Sequence, residues 1–240
     1  MADWTIIRIL SWTESYFKKH SGKPSGSDPS DPGSRKIDSP RLTAEILLAH
    51  ALGIERLDLY LQYDRPLETG ELALYKTLIK RRAAGEPVAY ITGSRGFYDD
   101  EFEVEPGVLI PRPDTETLVE AALDLLAADP EKKKQVLELG VGSGAIVISL
   151  AKAAPAHDFS ACDISSTALR VSSRNSTRIT PGKIRVFGSS WFDAVRPGTV
   201  FDLIVSNPPY ISTADIHGLQ PEIREFEPMA ALDGGSDGLD

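Results

Sequence analysis

Between Gln135 and Ser206, short apolar runs of strand length alternate with stretches of helical periodicity, and no other feature of the chain restricts its fold as strongly. The runs are Gln135–Leu139, Asp158–Asp163, Lys183–Phe187 and Val200–Ser206, with helical stretches at Ala145–Ala153 and Ser166–Thr177 between the first three. Strand, helix, strand in repetition implies right-handed crossovers and a parallel sheet with helices on both faces. The segment therefore reads as a doubly wound α/β domain. Ligands of such sheets bind outside the carboxyl ends of the strands, so the residues that follow each run are where chemistry is expected.

After Val136-Leu137-Glu138-Leu139 comes Gly140-Val141-Gly142-Ser143-Gly144-Ala145. Three glycines let the backbone turn tightly, approach a ligand and point N–H groups inward. Read as Gly-x-Gly-x-x-Ala, the same residues fit a dinucleotide fingerprint. Glu138 argues otherwise, since a carboxylate two residues before the first glycine repels a pyrophosphate and favours a cationic amino-acid ligand. Asp163, 19 residues beyond Gly144, ends the second run, where an acid can bind both ribose hydroxyls. Together the two acids suggest S-adenosylmethionine, with Trp191 and Phe192 after the third run as walls for its adenine.

The last run, Val200–Ser206, stops at Asn207-Pro208-Pro209-Tyr210. Proline has no ladder donor and biases the residue before it away from helix, so the strand ends abruptly. A planar NH2 group is a poor nucleophile because its lone pair is delocalised. Asn207 Oδ1 and the Pro208 carbonyl, taking both N–H hydrogens of such a group, would turn the lone pair towards an electrophile. Tyr210 would stack on the flat group, and Pro209 completes the substrate-binding stretch.

The 240 residues suffice for two domains. A net charge of -9 argues against broad electrostatic binding to DNA or RNA. The one cysteine, Cys162, excludes an intramolecular disulfide and a cysteine-based zinc site, and no metal site is expected. The N-terminus has no charged segment leading into an apolar one, and no run approaches membrane-spanning length. A cytoplasmic protein is expected; an organellar form lacking its transit peptide fits equally.

Upstream, Trp4–Lys19 has helical spacing, and His20–Asp38 is a polar Ser/Gly/Pro stretch read as a flexible insertion. Ser39-Pro40 is an N-cap signal for a helix ending at Gly53, followed by a short helix at Ile54–Leu61 and a long one at Thr69–Ala84. Residues 1–85 thus form a small helical domain. Val88–Ile91, Phe97–Val104 and Val108–Ile110 read as short strands, so 86–113 is expected to be a connecting β-hairpin; Asp114 then caps a helix. Residues 114–240 make up the α/β domain.

Five segments carry a family resemblance: Gly85–Gly93, Val108-Leu-Ile-Pro-Arg-Pro-Asp-Thr-Glu116, Glu138–Gly144, Asn207–Tyr210 and Glu227-Pro228 through Leu239. In these the chain resembles the release factor glutamine methyltransferases, from about Ser39 to its last residue. The glycine turn and Asn-Pro-Pro-Tyr occur in other amino-methyltransferases, whereas Pro-Arg-Pro-Asp-Thr-Glu and Glu-Pro are more particular to this family. The resemblance implies a Rossmann-like class I methyltransferase sheet. It also implies methylation of the side-chain amide of the glutamine in the Gly-Gly-Gln loop of class I peptide chain release factors. Gly140–Gly144, Asp163 and Trp191 would hold S-adenosylmethionine, Asn207 would touch cofactor and substrate, and Asn207–Tyr210 would hold the glutamine amide. The helical domain would recognise the protein substrate, with no nucleic acid and no membrane involved, and the protein is expected to be a monomer.

Ser190 stands where the family usually has an acid. Relatives continue beyond position 240 to complete a seven-stranded sheet, so an incomplete sheet with the Asn207-bearing strand as an open edge is expected, from a fragment or an incomplete protein. The alternatives to the methyltransferase reading are a nucleic-acid N6-adenine methyltransferase acting on an extruded base, a truncated domain that binds cofactor or a protein without turnover, and, more distantly, an NAD-dependent oxidoreductase.

Overall fold

A computed structural model describes residues 4–20, 37–129 and 131–239 of the chain; residues 21–36 of the expected insertion lie outside them. The chain divides into two compact units, residues 1–92 with 217–226 and residues 93–216 with 227–240.

The first unit is helical. Its elements are α1 (Ile6–His20), α2 (Pro40–Leu52), α3 (Asp58–Leu61), α4 (Thr69–Ala83), α5 (Val88–Thr92) and α9 (Pro221–Phe226). Ile6, Leu10, Phe17, Leu47, Leu48, Tyr75 and Leu78 supply its core. The one polar atom on buried Tyr75 is satisfied, its hydroxyl donating to the Ala44 carbonyl at 3.0 Å. Ser39 begins α2 through its main chain, accepting the Thr43 N–H at 2.9 Å, and its side chain makes no capping bond. Gly53, with φ +63°, closes the helix in the left-handed conformation that suits glycine. Buried Arg82 pairs with Glu222 of α9 at 2.7 Å.

Val88–Ile91 is helix, not the expected strand. Pro87 is preset for a helical first turn, and its carbonyl accepts the Tyr90 and Ile91 N–H groups, both at 3.1 Å. Ile91 then packs into the helical core, a tertiary contact that outweighs the β-propensity of Val88, Tyr90 and Ile91.

In the second unit, β1 (Ser94–Phe97) and β2 (Asp100–Glu103) form an antiparallel hairpin whose register, Phe97 opposite Asp100, leaves the two-residue turn Tyr98-Asp99. Tyr98 sits at φ +52°, as a two-residue hairpin turn requires, and its N–H donates to Glu116 Oε1 at 3.0 Å. The paired strands thus occupy only 94–103 of the expected hairpin region. Val108–Ile110, expected as a strand, is irregular: Val108 packs on Ala168 and Val171, and the Ile110 N–H goes to a side chain rather than a ladder. Nor does Asp114 cap α6 (Glu116–Ala127), because Pro113 starts a 3-10 turn, Pro113–Thr115, that runs directly into it.

The sheet contains β3 (Gln135–Leu139), β4 (Asp158–Asp163), β5 (Ile184–Gly188) and β6 (Leu203–Ser206), all parallel, in the order β5-β4-β3-β6. Val200–Asp202, expected within the last strand, stay outside its ladder. The helices α6, α7 (Ala145–Ala153) and α8 (Ser166–Ile179) belong to the core that includes Val136, Phe159 and Val205. Leu137, Leu139 and Cys162 form a second core covered by Phe187, Val195 and Phe201. β6 is an edge strand, with Ile204 exposed. Its position beside β3, after β4 and β5 have built outward on the other side, makes the β3–β6 boundary the topological switch point of the sheet.

Candidate active site

Register alone brings three predicted residues to one edge. Leu139 lies opposite Cys162 on β4 and Ser206 on β6, so Gly140, Asp163 and Asn207 each follow at the carboxyl end. The Ser206 hydroxyl donates to the Leu139 carbonyl at 2.9 Å, fastening the last turn of β6 to the start of the glycine turn.

The glycine turn is tied to β4 and its carboxyl end through its own N–H groups. The Gly140 and Val141 N–H groups both donate to the Cys162 carbonyl at 2.9 Å, and the Gly142 N–H donates to Asp163 Oδ2 at 2.9 Å. Asp163 Oδ1 accepts the Ser165 N–H at 2.8 Å. Each carboxylate oxygen so engaged retains acceptor capacity, enough for a vicinal pair of hydroxyls.

Glu138 is buried with one oxygen, Oε2, accepting the Val147 N–H at 2.9 Å near the start of α7. Burial pushes its carboxyl well above the ordinary range, against the pull of the Val147 N–H and with help from the charge of Asp163. A cation placed beside it would favour ionisation.

A cavity of about 380 Å³ is lined by Glu138, Gly140, Val141, Gly142, Ser143, Asp163, Trp191, Asn207, Pro208 and Pro209. Of the predicted residues, Gly144 and Tyr210 do not line it. Gly144 has a packing role: at φ +84° a Cβ would stand 2.7 Å from Ile148 Cδ1 and 3.3 Å from Ser172 Cβ, so its small size lets α7 and α8 approach. Tyr210 is 70% exposed, and its ring does not wall the cavity. Of the two aromatics after the third strand, Trp191 contributes and Phe192 does not. Trp191 holds φ +45°, a strained conformation for a bulky residue, and its carbonyl accepts the Ser189 hydroxyl at 2.9 Å.

The remaining walls were not named from the sequence. Phe97 of the hairpin, Val108, Pro111 and Arg112 line the cavity, as do Pro228, Ala230, Ala231 and Asp233. Arg112 and the 228–233 segment fall within the two motifs most particular to the resemblance, a signal that located them without saying what they do. The volume falls within the range of small-molecule sites, and the lining joins apolar walls, two aromatic rings, a glycine turn at a helix start and three acids. A nucleoside carrying a cationic amino acid suits that donor set: Asp163 for the ribose, Glu138 for the positive end, Trp191 for the base.

Residues 33–93 match the PrmC N-terminal domain and residues 115–220 the Methyltransferase small domain. The release factor glutamine methyltransferase of Geobacter sulfurreducens is 43% identical over 237 residues, covering 99% of this chain and 76% of the relative. That of Rhodopirellula baltica is 40% identical over 240 residues, with 99% and 76% covered. The Burkholderia pseudomallei protein of the same name is 46% identical over 203 residues, with 82% and 70% covered. With identities of this size over three quarters of the relatives' length, on a parallel sheet whose glycine turn and Asn207-Pro208-Pro209 share one cavity, the chain belongs to the release factor glutamine methyltransferase family.

Proposed function

We propose that the protein methylates the side-chain amide nitrogen of the glutamine in the Gly-Gly-Gln loop of a class I peptide chain release factor, with S-adenosylmethionine as donor. The observation that carries this reading is the sharing of one cavity by Asn207, Pro208, the glycine turn and Asp163. The names of the relatives support the acceptor.

When bound, S-adenosylmethionine supplies an electrophilic methyl group on a sulfonium. The chain's own residues do the rest. Asn207 Oδ1 and the Pro208 carbonyl accept the two N–H hydrogens of the glutamine amide, fixing its plane and directing its lone pair. As positive charge develops on that nitrogen, the same two oxygens are already oriented to stabilise it, an electrostatic effect that needs no reorganisation. Holding nitrogen and electrophile in line supplies roughly 7–11 kcal/mol of the barrier. No side-chain base is required, because the alkylated nitrogen is acidic enough to give its proton to water. The acidic balance of the chain disfavours a nucleic-acid acceptor.

The test is incubation with methyl-labelled donor and, separately, a class I release factor, the same factor with its Gly-Gly-Gln glutamine replaced, and DNA. Label on the intact factor alone is expected. Label on DNA, or on the factor lacking that glutamine, refutes the reading.

A further inference from the structure

The two segments most particular to the resemblance, 111–116 and 227–239, meet. Glu227 has a side chain only 2% exposed, and it is fully engaged: Oε2 accepts the Ile110 N–H at 3.2 Å and Oε1 accepts the Arg112 guanidinium. Arg112 in turn donates through Nη1 to the Ile110 carbonyl at 2.8 Å. One carboxylate and one guanidinium therefore close around the Ile110 peptide, and Pro111 and Arg112 beside it form cavity wall.

From Glu227 the chain continues through the 3-10 turn Met229–Ala231 and then runs along the Asn-Pro-Pro-Tyr segment. The Leu232 carbonyl accepts the Ile211 N–H at 3.1 Å, the Gly234 N–H donates to the Ile211 carbonyl at 2.9 Å, and the Gly235 carbonyl accepts the Thr213 N–H at 2.8 Å. The fit admits no side chain. A Cβ at Gly234 would lie 2.8 Å from the Pro209 carbonyl oxygen, and one at Gly238 would lie 2.5 Å from that of Tyr210. Residues 232–238 are thus a close backing for 209–213. The backing begins at Glu227, and Glu227 is pinned by Arg112.

The bonds that hold the glycine turn and Asp163 are separate from this chain of contacts: they run to the Cys162 carbonyl, the Ser165 N–H, the Asn175 carboxamide and, at Leu139, the Ser206 hydroxyl. We propose that the Arg112–Glu227 pair positions the acceptor side of the site, setting where Asn207–Tyr210 stand through the 228–238 backing, while leaving the donor side to the glycine turn and Asp163. Both residues are positioning residues. The inference rests on the function proposed above.

Two variants test it in the 240-residue chain. Glu227→Gln keeps an oxygen for the Ile110 N–H and removes the charge; Arg112→Lys keeps the charge and removes the fork. Calorimetry with S-adenosylmethionine reads the donor side, and steady-state transfer to a class I release factor reads the acceptor side. Glu227→Gln is expected to bind donor with unchanged affinity and unchanged donor KM while kcat/KM for the factor falls by about 10²-fold, the size of loss that misplacement of about 1 Å produces. Arg112→Lys is expected to fall in the same direction by less. Unaltered transfer kinetics overturn the proposal, and so does a loss of donor affinity as large as the loss of transfer, which would make the pair a general scaffold. If Glu227→Gln does not fold, Arg112→Lys decides by the same two readings. A wild-type chain that takes up no donor refutes the proposed function and this inference with it, whereas intact donor binding with unaltered variant kinetics refutes the positioning role alone.

Discussion

Asn175 donates through Nδ2 to the carbonyl of Ser143, 2.9 Å away, and so holds the glycine turn from the neighbouring helix α8. The same carboxamide spans the Glu103 peptide, donating to its carbonyl at 3.0 Å and accepting its N–H at 2.9 Å. Asn175 is completely buried, and no apolar side chain could satisfy those three backbone groups. Asn175→Leu should therefore destabilise the protein by roughly 3 kcal/mol or more, since each orphaned buried group costs about 1–3 kcal/mol. Denaturant unfolding measures it. A loss below about 1 kcal/mol would mean that water or relaxation replaces the three bonds.

Glu138 makes stability depend on pH in a definite direction. Its folded value is raised, so the contribution of this group favours the native state most below the ordinary carboxyl value of about 4.3, and is lost as pH rises towards the folded value. Glu138→Gln abolishes that titration and retains an oxygen for the Val147 N–H. Relative to the variant, the parent protein should lose stability as pH rises through the window that opens above the ordinary carboxyl value. Parallel unfolding curves across that window would show that Glu138 is already ionised. The variant should also bind donor about 10-fold or more weakly, as loss of a charged hydrogen-bond partner predicts.

Gly144→Ala tests the packing role of this glycine. A Cβ there meets Ile148 Cδ1 at 2.7 Å and Ser172 Cβ at 3.3 Å, at φ +84°. Overpacking and the left-handed conformation together should cost about 2–4 kcal/mol. Urea unfolding of the variant that matches the parent protein would contradict the tight approach of α7 to α8.

Asn207→Ala should lower kcat by about 10²–10³-fold, the usual cost of removing one oriented polar group that stabilises developing charge. Donor affinity, read by calorimetry, should change far less, because Asp163, Glu138 and the glycine turn remain. Unchanged turnover would rule out the amide-holding role.

The readable parts of the sequence were those whose cause is local. Alternating runs marked β3, α7, β4 and α8 with bounds within a few residues, because period and burial act over one element at a time. Gly140–Gly142 and Asn207–Pro209 could be assigned to strand ends from the glycines and prolines alone, and a parallel sheet in register then aligns strand ends. That Tyr210 and Gly144 stand outside the cavity lining could not be read from the motifs, because which residues face a cavity depends on how distant segments pack around it.

What the sequence by itself determined was the α/β alternation, the glycine turn, the acids at 138 and 163 and the strand stop at Asn207, each encoded by neighbours a few positions away. Only the tertiary structure decided that Val88–Ile91 is helical, that Ile110 gives its N–H to Glu227, that Asn175 grips Ser143, and that Arg112 meets a partner 115 residues later. The physical reason is that a buried polar group needs a partner but does not specify one: burial is a property of the assembled fold, and the partner is whichever group the packing of distant segments delivers within reach.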